Sequence, residues 1–242
     1  MEGARHGRAG HGAADDSHPH SDPVAAPRGQ EVAGRMTPPS LGLDLGRVRD
    51  QTALALIEPW RDRLALTHLR AWRPQRDDCI DALGEVIALA GRLAHVGRPR
   101  LAIDAQGLGR KVARAAVAGR TRLMCDVLPL LPTGSQRPDR QRDDGLVYVT
   151  KTRAVEALLA GMAGGDLVLA RHLEAAPALR EELARLERVP TDGGMSWTYA
   201  ARDQSQHSHD DLVMAVTYAY WAARHGGLYR PVMEARWRRQ EA

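Results

Sequence analysis

The stretch Gly42-Leu-Asp-Leu-Gly-Arg-Val-Arg-Asp-Gln-Thr-Ala-Leu-Ala-Leu56 decides the fold. Leucines alternate with other residues on both sides of Asp44, which is typical of a strand, and Gly46 ends that strand. A second apolar run extends from Gln51 to Glu58, and a third extends from Arg63 to Trp72. Because the connections between these runs are short and polar, we expect an antiparallel meander of three strands.

The remainder of the chain alternates between helix and strand patterns. Apolar residues three or four positions apart predict helices, and short apolar runs predict strands. The predicted helices cover residues 77–96, 110–118, 150–163, 173–188 and 210–223, and the predicted strands cover 101–105, 122–131, 167–169 and 195–201. Three strands followed by alternating helices and strands indicate an α/β fold with a mixed central sheet flanked by helices.

Composition separates a folded domain from two polar ends. The chain has 242 residues, of which 43% are hydrophobic and 26% charged, as expected for a globular protein. Residues 1–38 are rich in His, Pro and Gly and lack apolar periodicity, so they predict a disordered tail. The predicted domain covers 39–225, and 226–242 predict a basic tail. No apolar run is long enough for a membrane span or a signal peptide, so we expect a cytoplasmic protein.

Charge and cysteine content narrow the function only slightly. The net charge of +4 is compatible with a polyanionic partner such as DNA but does not identify one. Lys111 and Lys151 are the only two lysines among 34 basic residues, an excess of arginine that a GC-rich genome also produces. Cys79 and Cys125 form no zinc or redox motif, and we interpret them as buried thiols.

Acidic residues at three places indicate a reactive site. Asp44 lies inside the first strand, Asp104 ends the strand 101–105, and Asp210 and Asp211 open the last long helix. Aspartate is disfavoured in strands, and its burial is costly unless it is paired or binds a metal. If the two strands are neighbours, both carboxylates share one edge of the sheet, and a helix carboxylate completes a cluster.

Such a cluster predicts a specific chemistry. Carboxylate oxygens suit Mg²⁺ or Mn²⁺, and two such ions activate a water and stabilise the leaving oxygen in phosphodiester hydrolysis. Purely structural interpretations also exist: Asp44 as a turn residue, Asp104 as the cap of the following helix, and Asp210 or Asp211 as a helix N-cap.

Four segments together resemble the nuclease domain of phage large terminase subunits. They are GLDLGRVRDQTALAL, LAIDAQGLGRKV, VYVTKTRAVEALLAGMAGGDLVL and HDDLVMAVTYAYWA, and the resemblance extends from about Leu41 to Arg224. It implies an RNase H-like fold and a metal-dependent endonuclease that cuts double-stranded DNA during genome packaging. By this resemblance Asp44, Asp104 and the pair Asp210 and Asp211 are the catalytic, metal-binding acids that hold two ions, with Asp211 preferred over Asp210.

Basic residues within these segments are candidates for DNA binding. Lys151, Arg110, Lys111 and His209 are the four that we select. Lys151 also ends a near match to a phosphate-binding P-loop, but Thr150 stands where that loop needs a glycine, so an ATP site is disfavoured. A lysine at an ordinary helix start is the structural alternative for Lys151.

The resemblance also carries expectations about partners. The chain is too short for a packaging ATPase beside the nuclease, so we expect a detached nuclease that works alone or with a separate ATPase, a small terminase subunit or a portal. One alternative is another RNase H-like nuclease, such as a RuvC-like resolvase, which predicts a preference for four-way junctions. A second is an inactive DNA-binding or assembly module from a prophage, which predicts DNA binding without cleavage.

Overall fold

A computed structural model describes residues 37–46, 51–73, 81–134, 138–191, 196–201 and 210–232. The strands in these ranges are β1 (Ser40–Asp44), β2 (Thr52–Trp60), β3 (Arg63–Trp72), β4 (Arg100–Asp104), β5 (Asp126–Thr133), β6 (Arg140–Gln141), β7 (Val147–Thr150), β8 (Leu167–Leu169), β9 (Leu186–Thr191) and β10 (Ser196–Ala201). The helices are α1 (Asp81–Arg92), α2 (Gly109–Ala118), α3 (Arg120–Leu123), α4 (Lys151–Ala163), α5 (Ala176–Arg185) and α6 (Asp211–His225), followed by a 3₁₀ turn at Gly226–Leu228.

Eight strands form one mixed sheet. Their order is β6-β7-β5-β4-β1-β2-β3-β8, while β9 and β10 form a separate antiparallel pair. The meander β1-β2-β3 is antiparallel, as predicted. Strand β4 runs parallel to β1 on one side and to β5 on the other, and β5 runs parallel to β7. The predicted α/β fold with a mixed central sheet is therefore confirmed, and β1 and β4 are central neighbours.

The two faces of β1 carry different side chains. Leu41 and Leu43 are fully buried in a core cluster with α1 and α2. Gly42 lies on the opposite face, against α6. Because side chains alternate along a strand, Asp44 lies on the same face as Gly42. In β4, Ala102 is buried together with residues of α6, so the same alternation directs Asp104 toward α6.

Small residues allow α6 to lie directly on the central strands. A Cβ added to Gly42 would overlap the backbone of Ala215 and Ala219 in α6. On β2, Ala53 and Ala55 are fully buried in a cluster that includes residues of α6. The lack of side-chain bulk on this face sets a backbone-to-backbone contact between strand and helix.

Helix α6 is buried along almost its whole length. Every residue from Leu212 to Ala223 is buried, and α4 and α5 pack against the helix. A helix that is apolar all round belongs in the interior rather than on a surface. The helix therefore lies between the sheet and two further helices, and its N-terminal turn faces the ends of β1 and β4.

The predicted strand 122–131 is wrong at both ends. Arg120–Leu123 form the short helix α3, which ends at Met124 in the left-handed conformation (φ 54°). Strand β5 then continues beyond Pro132 to Thr133. Pairing with β4 stops at Leu130, so Pro132, which has no N–H to donate, lies beyond the end of that pairing, while pairing with β7 continues to Thr133.

The predicted helix 173–188 is too long. Helix α5 ends at Arg185, and Leu186–Thr191 form β9, which pairs with β10. Leu186 and Val189 continue a helical spacing of apolar residues, so periodicity alone extends the helix, while pairing with a distant segment makes the strand. The strand β7 directly before α4 was not predicted, nor was the short β6 inside the predicted polar loop 133–145.

Several predictions fall outside the described residues. They concern residues 1–36, 47–50, 74–80, 202–209 and 233–242, and with them Cys79. At the C-terminal end, residues 226–232 lie against the domain: Val232 is buried and its N–H donates to the carbonyl of Val127 at 3.2 Å. Cys125 is a buried free thiol, as predicted. Within the described ranges, no helix combines the length and apolarity needed to cross a membrane.

The contact between β1 and α6 gives a direct prediction. Replacing Gly42 by Ala forces a methyl group into the backbone of α6, so we expect the free energy of unfolding to fall by about 1–3 kcal/mol or more. Urea unfolding measures it. The matched control is Gly84→Ala on the exposed side of α1, where an added Cβ meets nothing within 4 Å. That change should stabilise the protein by up to about 1 kcal/mol, and equal effects of both substitutions would contradict the packing.

Candidate active site

A cavity of about 340 Å³ opens where β1, β4 and β5 end. Its lining combines three carboxylates, a lysine, and side chains from the sheet, α6 and β10. The lining residues are Asp44, Asp104, Gln106, Pro132, Thr133, Gly134, Lys151, Thr198, Asp210, Met214 and Tyr218. Residues far apart in the sequence therefore meet in one polar cavity.

Strand register brings Asp44 and Asp104 together. Leu43 of β1 pairs with Ile103 of β4 in a parallel register, so the next residues of both strands lie side by side. One oxygen of Asp104, Oδ1, accepts a hydrogen bond from the N–H of Gln106 at 2.7 Å. The other, Oδ2, accepts one from the hydroxyl of Tyr218 at 3.4 Å.

The surroundings of Asp44 disfavour its charge. Burial raises the pKa of Asp44 well above its ordinary value, and the negative charges of Asp104, Asp211 and Asp210 raise it further, while Lys151 lowers it. Burial also raises the pKa of Asp104, although the hydrogen bonds from Gln106 and Tyr218 partly offset this effect. Raised pKa values of this kind are typical of carboxylates that are clustered at a functional site. Such a cluster lowers the stability of the folded protein where no positive charge compensates it.

The two acids at the start of α6 have different surroundings. Asp210 lines the cavity, and its Oδ2 lies 3.3 Å from Nζ of Lys151. Asp211 does not belong to the lining. Its charge nevertheless raises the pKa of Asp44 more than the charge of Asp210 does. Although Asp210 occupies the N-cap position, within the described chain its side chain accepts no hydrogen bond from the helix. The alternative of Asp210 as an ordinary N-cap is therefore wrong.

Lys151 enters the cavity from α4. It is the first residue of that helix and follows β7 directly, since Thr150 is the last residue of the strand. A P-loop needs a loop between strand and helix to surround a phosphate, and here the strand passes straight into the helix. The near match to that motif therefore has no structural counterpart.

The unpredicted residues around the site include two whose side chains contact an acid or the turn that carries the acids. Tyr218 lies two helical turns after Asp211 on the same face of α6, so helical spacing could have identified it. The second is Glu182 of α5, whose Oε2 accepts a hydrogen bond from the N–H of Val213 at 3.0 Å. No local pattern marks it, because only the packing of α5 against α6 brings it there.

Glu182 is a fifth carboxylate, after Asp44, Asp104, Asp210 and Asp211, and it lies beside the acidic turn of α6. Burial raises its pKa to about 7, and the charges of Asp211 and Asp210 raise it as well, while hydrogen bonds from the N–H groups of Val213 and Leu212 lower it. The acidic cluster therefore extends from the ends of the central strands to α5.

The remaining predicted DNA-binding residues lie elsewhere. Arg110 and Lys111 are exposed on the first turn of α2 and do not line the cavity. Gly109, which starts that helix, packs against the backbone carbonyl of Asp104, so the turn lies next to the site. His209 is outside the described residues.

The donor set has the chemistry of a Mg²⁺ or Mn²⁺ site. All acidic groups around the cavity offer carboxylate oxygens, which are the ligands that these ions prefer. Among the residues that the structure describes, however, no three acidic, histidine or cysteine side chains converge as ligands on one point. Binding of an ion by three of these acids therefore requires side-chain rotation.

Comparison with solved structures identifies the fold. The chain is similar to the human cytomegalovirus terminase nuclease domain, Mn soaked and inhibitor bound, with a TM-score of 0.56 and 14% identity over 81% of this chain and 87% of that one. The large terminase nuclease of thermophilic phage G20c with bound magnesium gives a TM-score of 0.53 and 18% identity over 76% and 80%. The match to the large terminase of another thermophilic bacteriophage covers 77% of this chain and 40% of that one, with 8% identity and a TM-score of 0.50.

These similarities confirm the RNase H-like fold of terminase nuclease domains that the sequence resemblance implied. No protein-family model and no curated protein matches the chain. At such low identity the solved structures establish the fold, and the activity has to be argued from the residues.

The electrostatics of Asp44 predict a stability change in the metal-free protein. Because the folded-state pKa is raised, the wild type loses stability as the pH rises above the ordinary aspartate value. Asp44→Asn removes that loss, so at pH 7.5 in EDTA we expect a gain on the order of 1 kcal/mol, or about 2–4 °C in Tm. Near pH 3 the gain should disappear, since Asp44 is then protonated in both states.

Differential scanning fluorimetry measures the Tm of the wild type and of Asp44→Asn at both pH values. The control is Asp62→Asn in the turn between β2 and β3, where the side chain is 83% exposed and no stability gain is expected. A lower Tm for Asp44→Asn than for the wild type at pH 7.5 would contradict the unfavourable charge at Asp44.

Proposed function

We propose that this chain is a divalent-metal-dependent endonuclease that hydrolyses DNA phosphodiester bonds, of the type used in viral genome packaging. The observation that carries the proposal is the meeting of Asp44 and Asp104, from adjacent parallel strands, with the acidic first turn of α6 at one cavity. The fold shared with terminase nuclease domains supports the same activity.

In this proposal Asp44, Asp104 and Asp211 hold two Mg²⁺ or Mn²⁺ ions. The charge of Asp211 acts more strongly on Asp44 than the charge of Asp210 does, and Asp210 is already paired with Lys151. Cations bound among these acids relieve the repulsion that raises the pKa of Asp44. In this proposal, repulsion among the acids lowers the stability of the metal-free protein, and relief of that repulsion strengthens the binding of the metal ions.

The ions, when bound, activate a water and compensate charge on the phosphate. The protein residues orient the ligands around them. The hydroxyl of Tyr218 and the N–H of Gln106 hold the two oxygens of Asp104 in different directions. Because Tyr218 is buried on α6, its position depends on the packing of that helix against the sheet, and so does its hydrogen bond to Asp104.

Lys151 is proposed to bind a DNA phosphate at the edge of the cavity. Its ammonium group pairs with Asp210 at 3.3 Å and carries three donors, so hydrogen-bonding capacity remains for a phosphate oxygen. Arg110 and Lys111 on the adjacent turn of α2 are proposed as further contacts to the DNA backbone. Contacts of this kind give binding that depends on salt and not on sequence.

The substrate and partners follow from the proposed activity. We propose double-stranded DNA as the substrate and a packaging machine as the setting. Its other components would be an ATPase, a small terminase subunit or a portal. The match to a large terminase covers 40% of that chain, which supports a role as the nuclease part of such a machine.

Plasmid cleavage tests the activity and the assignment of the acids. With supercoiled plasmid and Mn²⁺ or Mg²⁺, we expect the wild type to nick and linearise the DNA. Asp44→Asn, Asp104→Asn and Asp211→Asn should each lower the rate by at least about 100-fold, more than is typical for loss of an outer-shell partner. Asp210→Asn should lower it only about 10-fold, because Asp210 acts through Lys151.

The control is again Asp62→Asn, which should cleave at the wild-type rate. Absence of cleavage by the wild type with either metal would contradict the proposed endonuclease activity. DNA binding without cleavage would then favour a non-catalytic DNA-binding module. Full activity of both Asp44→Asn and Asp104→Asn would contradict the assignment of these two acids to the active site. Loss of activity in Asp210→Asn with retention in Asp211→Asn would reverse the roles of the two helix acids.

A further inference from the structure

The first turn of α6 receives its cap from another helix. The first amide groups of an α-helix have no partner inside the helix, and the residue before the helix usually accepts from them. Here the N–H of Met214 donates to the carbonyl of Asp210 at 2.8 Å, which starts the regular helix pattern. The N–H of Val213 instead donates to Glu182 of α5 at 3.0 Å, and Glu182 also accepts from Leu212.

Asp210 occupies the N-cap position, but in the described part of the chain its side chain does not cap the helix. Aspartate is among the preferred N-cap residues, yet the side chain of Asp210 points to Lys151 and makes no cap bond within the described chain. An acid from a different helix, Glu182, instead accepts from the amides of the first turn of α6.

The acids of α6 repel the negative charge of Glu182, so its position depends on the hydrogen bonds and packing that hold it. Its carboxylate lies close enough to Asp210 and Asp211 for their charges to act on it. A neutral acceptor would satisfy the same amides without this repulsion. The packing of α5 explains how the group is held: Leu179, one turn earlier on the same helix face, is fully buried in a cluster with Leu212 and Val216.

We infer that Glu182 is a positioning residue, which caps α6 across the α5–α6 contact and thereby holds the turn that carries Asp210 and Asp211 toward Asp44. The inference rests on the proposed metal-binding function. Glu182 acts through the backbone amides of Leu212 and Val213 and is not itself a metal ligand. Its removal frees the first turn of α6, and the acids then hold an ion less tightly.

Isothermal titration of the full chain with MnCl₂ at pH 7.5 tests this role without relying on DNA cleavage. Glu182→Ala should raise the apparent Kd for Mn²⁺ at least fivefold. Glu182→Gln keeps an oxygen that accepts from the same amides, so its Kd should stay within twofold of the wild type. If Gln weakens binding as much as Ala, the charge of Glu182 acts directly and the positioning role is overturned.

Two controls separate positioning from stability. Leu179→Ala opens a cavity in the same helix contact but keeps the cap, so it should lower Tm at least as much as Glu182→Ala while leaving the Mn²⁺ Kd unchanged. Glu181→Ala removes an exposed acid that pairs with Arg185, and it should change neither value. Equal weakening of Mn²⁺ binding by Leu179→Ala and Glu182→Ala would show a general loss of stability and overturn the inference.

Amide hydrogen exchange distinguishes failure of this inference from failure of the proposed function. Glu182→Ala should speed the exchange of the amides of residues 212 and 213 at least tenfold, and Glu181→Ala should not. If the wild type binds no Mn²⁺, the metal-binding function fails, and the exchange data still decide whether Glu182 holds the turn. Unchanged exchange in Glu182→Ala would overturn the cap whatever the metal binding.

Discussion

The structure depends on the close approach of α6 to the central strands. Gly42 has no side chain to separate β1 from the backbone of Ala215 and Ala219, and the alanines of β2 leave the same space. Because residues alternate along a strand, the surface that accepts α6 is also the surface from which Asp44 and Asp104 project. The packing that buries the helix thus brings its first turn to the two strand acids. The same contact between α6 and the strands therefore stabilises the fold and assembles the site.

This arrangement concentrates negative charge in a buried place. Burial and the charges of Asp104 and the acids of α6 raise the pKa of Asp44, and burial raises that of Asp104. Contacts within the described chain limit the cost: Lys151 pairs with Asp210, the hydroxyl of Tyr218 and the N–H of Gln106 donate to Asp104, and the amides of α6 donate to Glu182. None of these contacts neutralises the whole cluster. A cluster of carboxylates that keeps its negative charge gains the most electrostatic free energy from a bound divalent cation.

Much of this arrangement follows from local sequence patterns. The alternation around Asp44, the strand that ends at Asp104 and the paired acids at the start of α6 each mark an acid in an unusual place, and the meander predicts the centre of the sheet. The errors arise where distant pairing decides. Leu186 and Val189 fit a helix until β10 pairs with them. Glu182 looks like any exposed helix glutamate until α5 packs on α6. The assignment of the acids as metal ligands remains a prediction.

Anomalous diffraction from crystals soaked in MnCl₂ tests the central claim most directly, because it locates the ion without reference to activity. We expect an anomalous peak in the cavity, within coordination distance of carboxylate oxygens of both Asp44 and Asp104, and with a third oxygen from the first turn of α6. A fully occupied Mn²⁺ site elsewhere on the protein, with no peak between Asp44 and Asp104 at saturating Mn²⁺, would contradict the account.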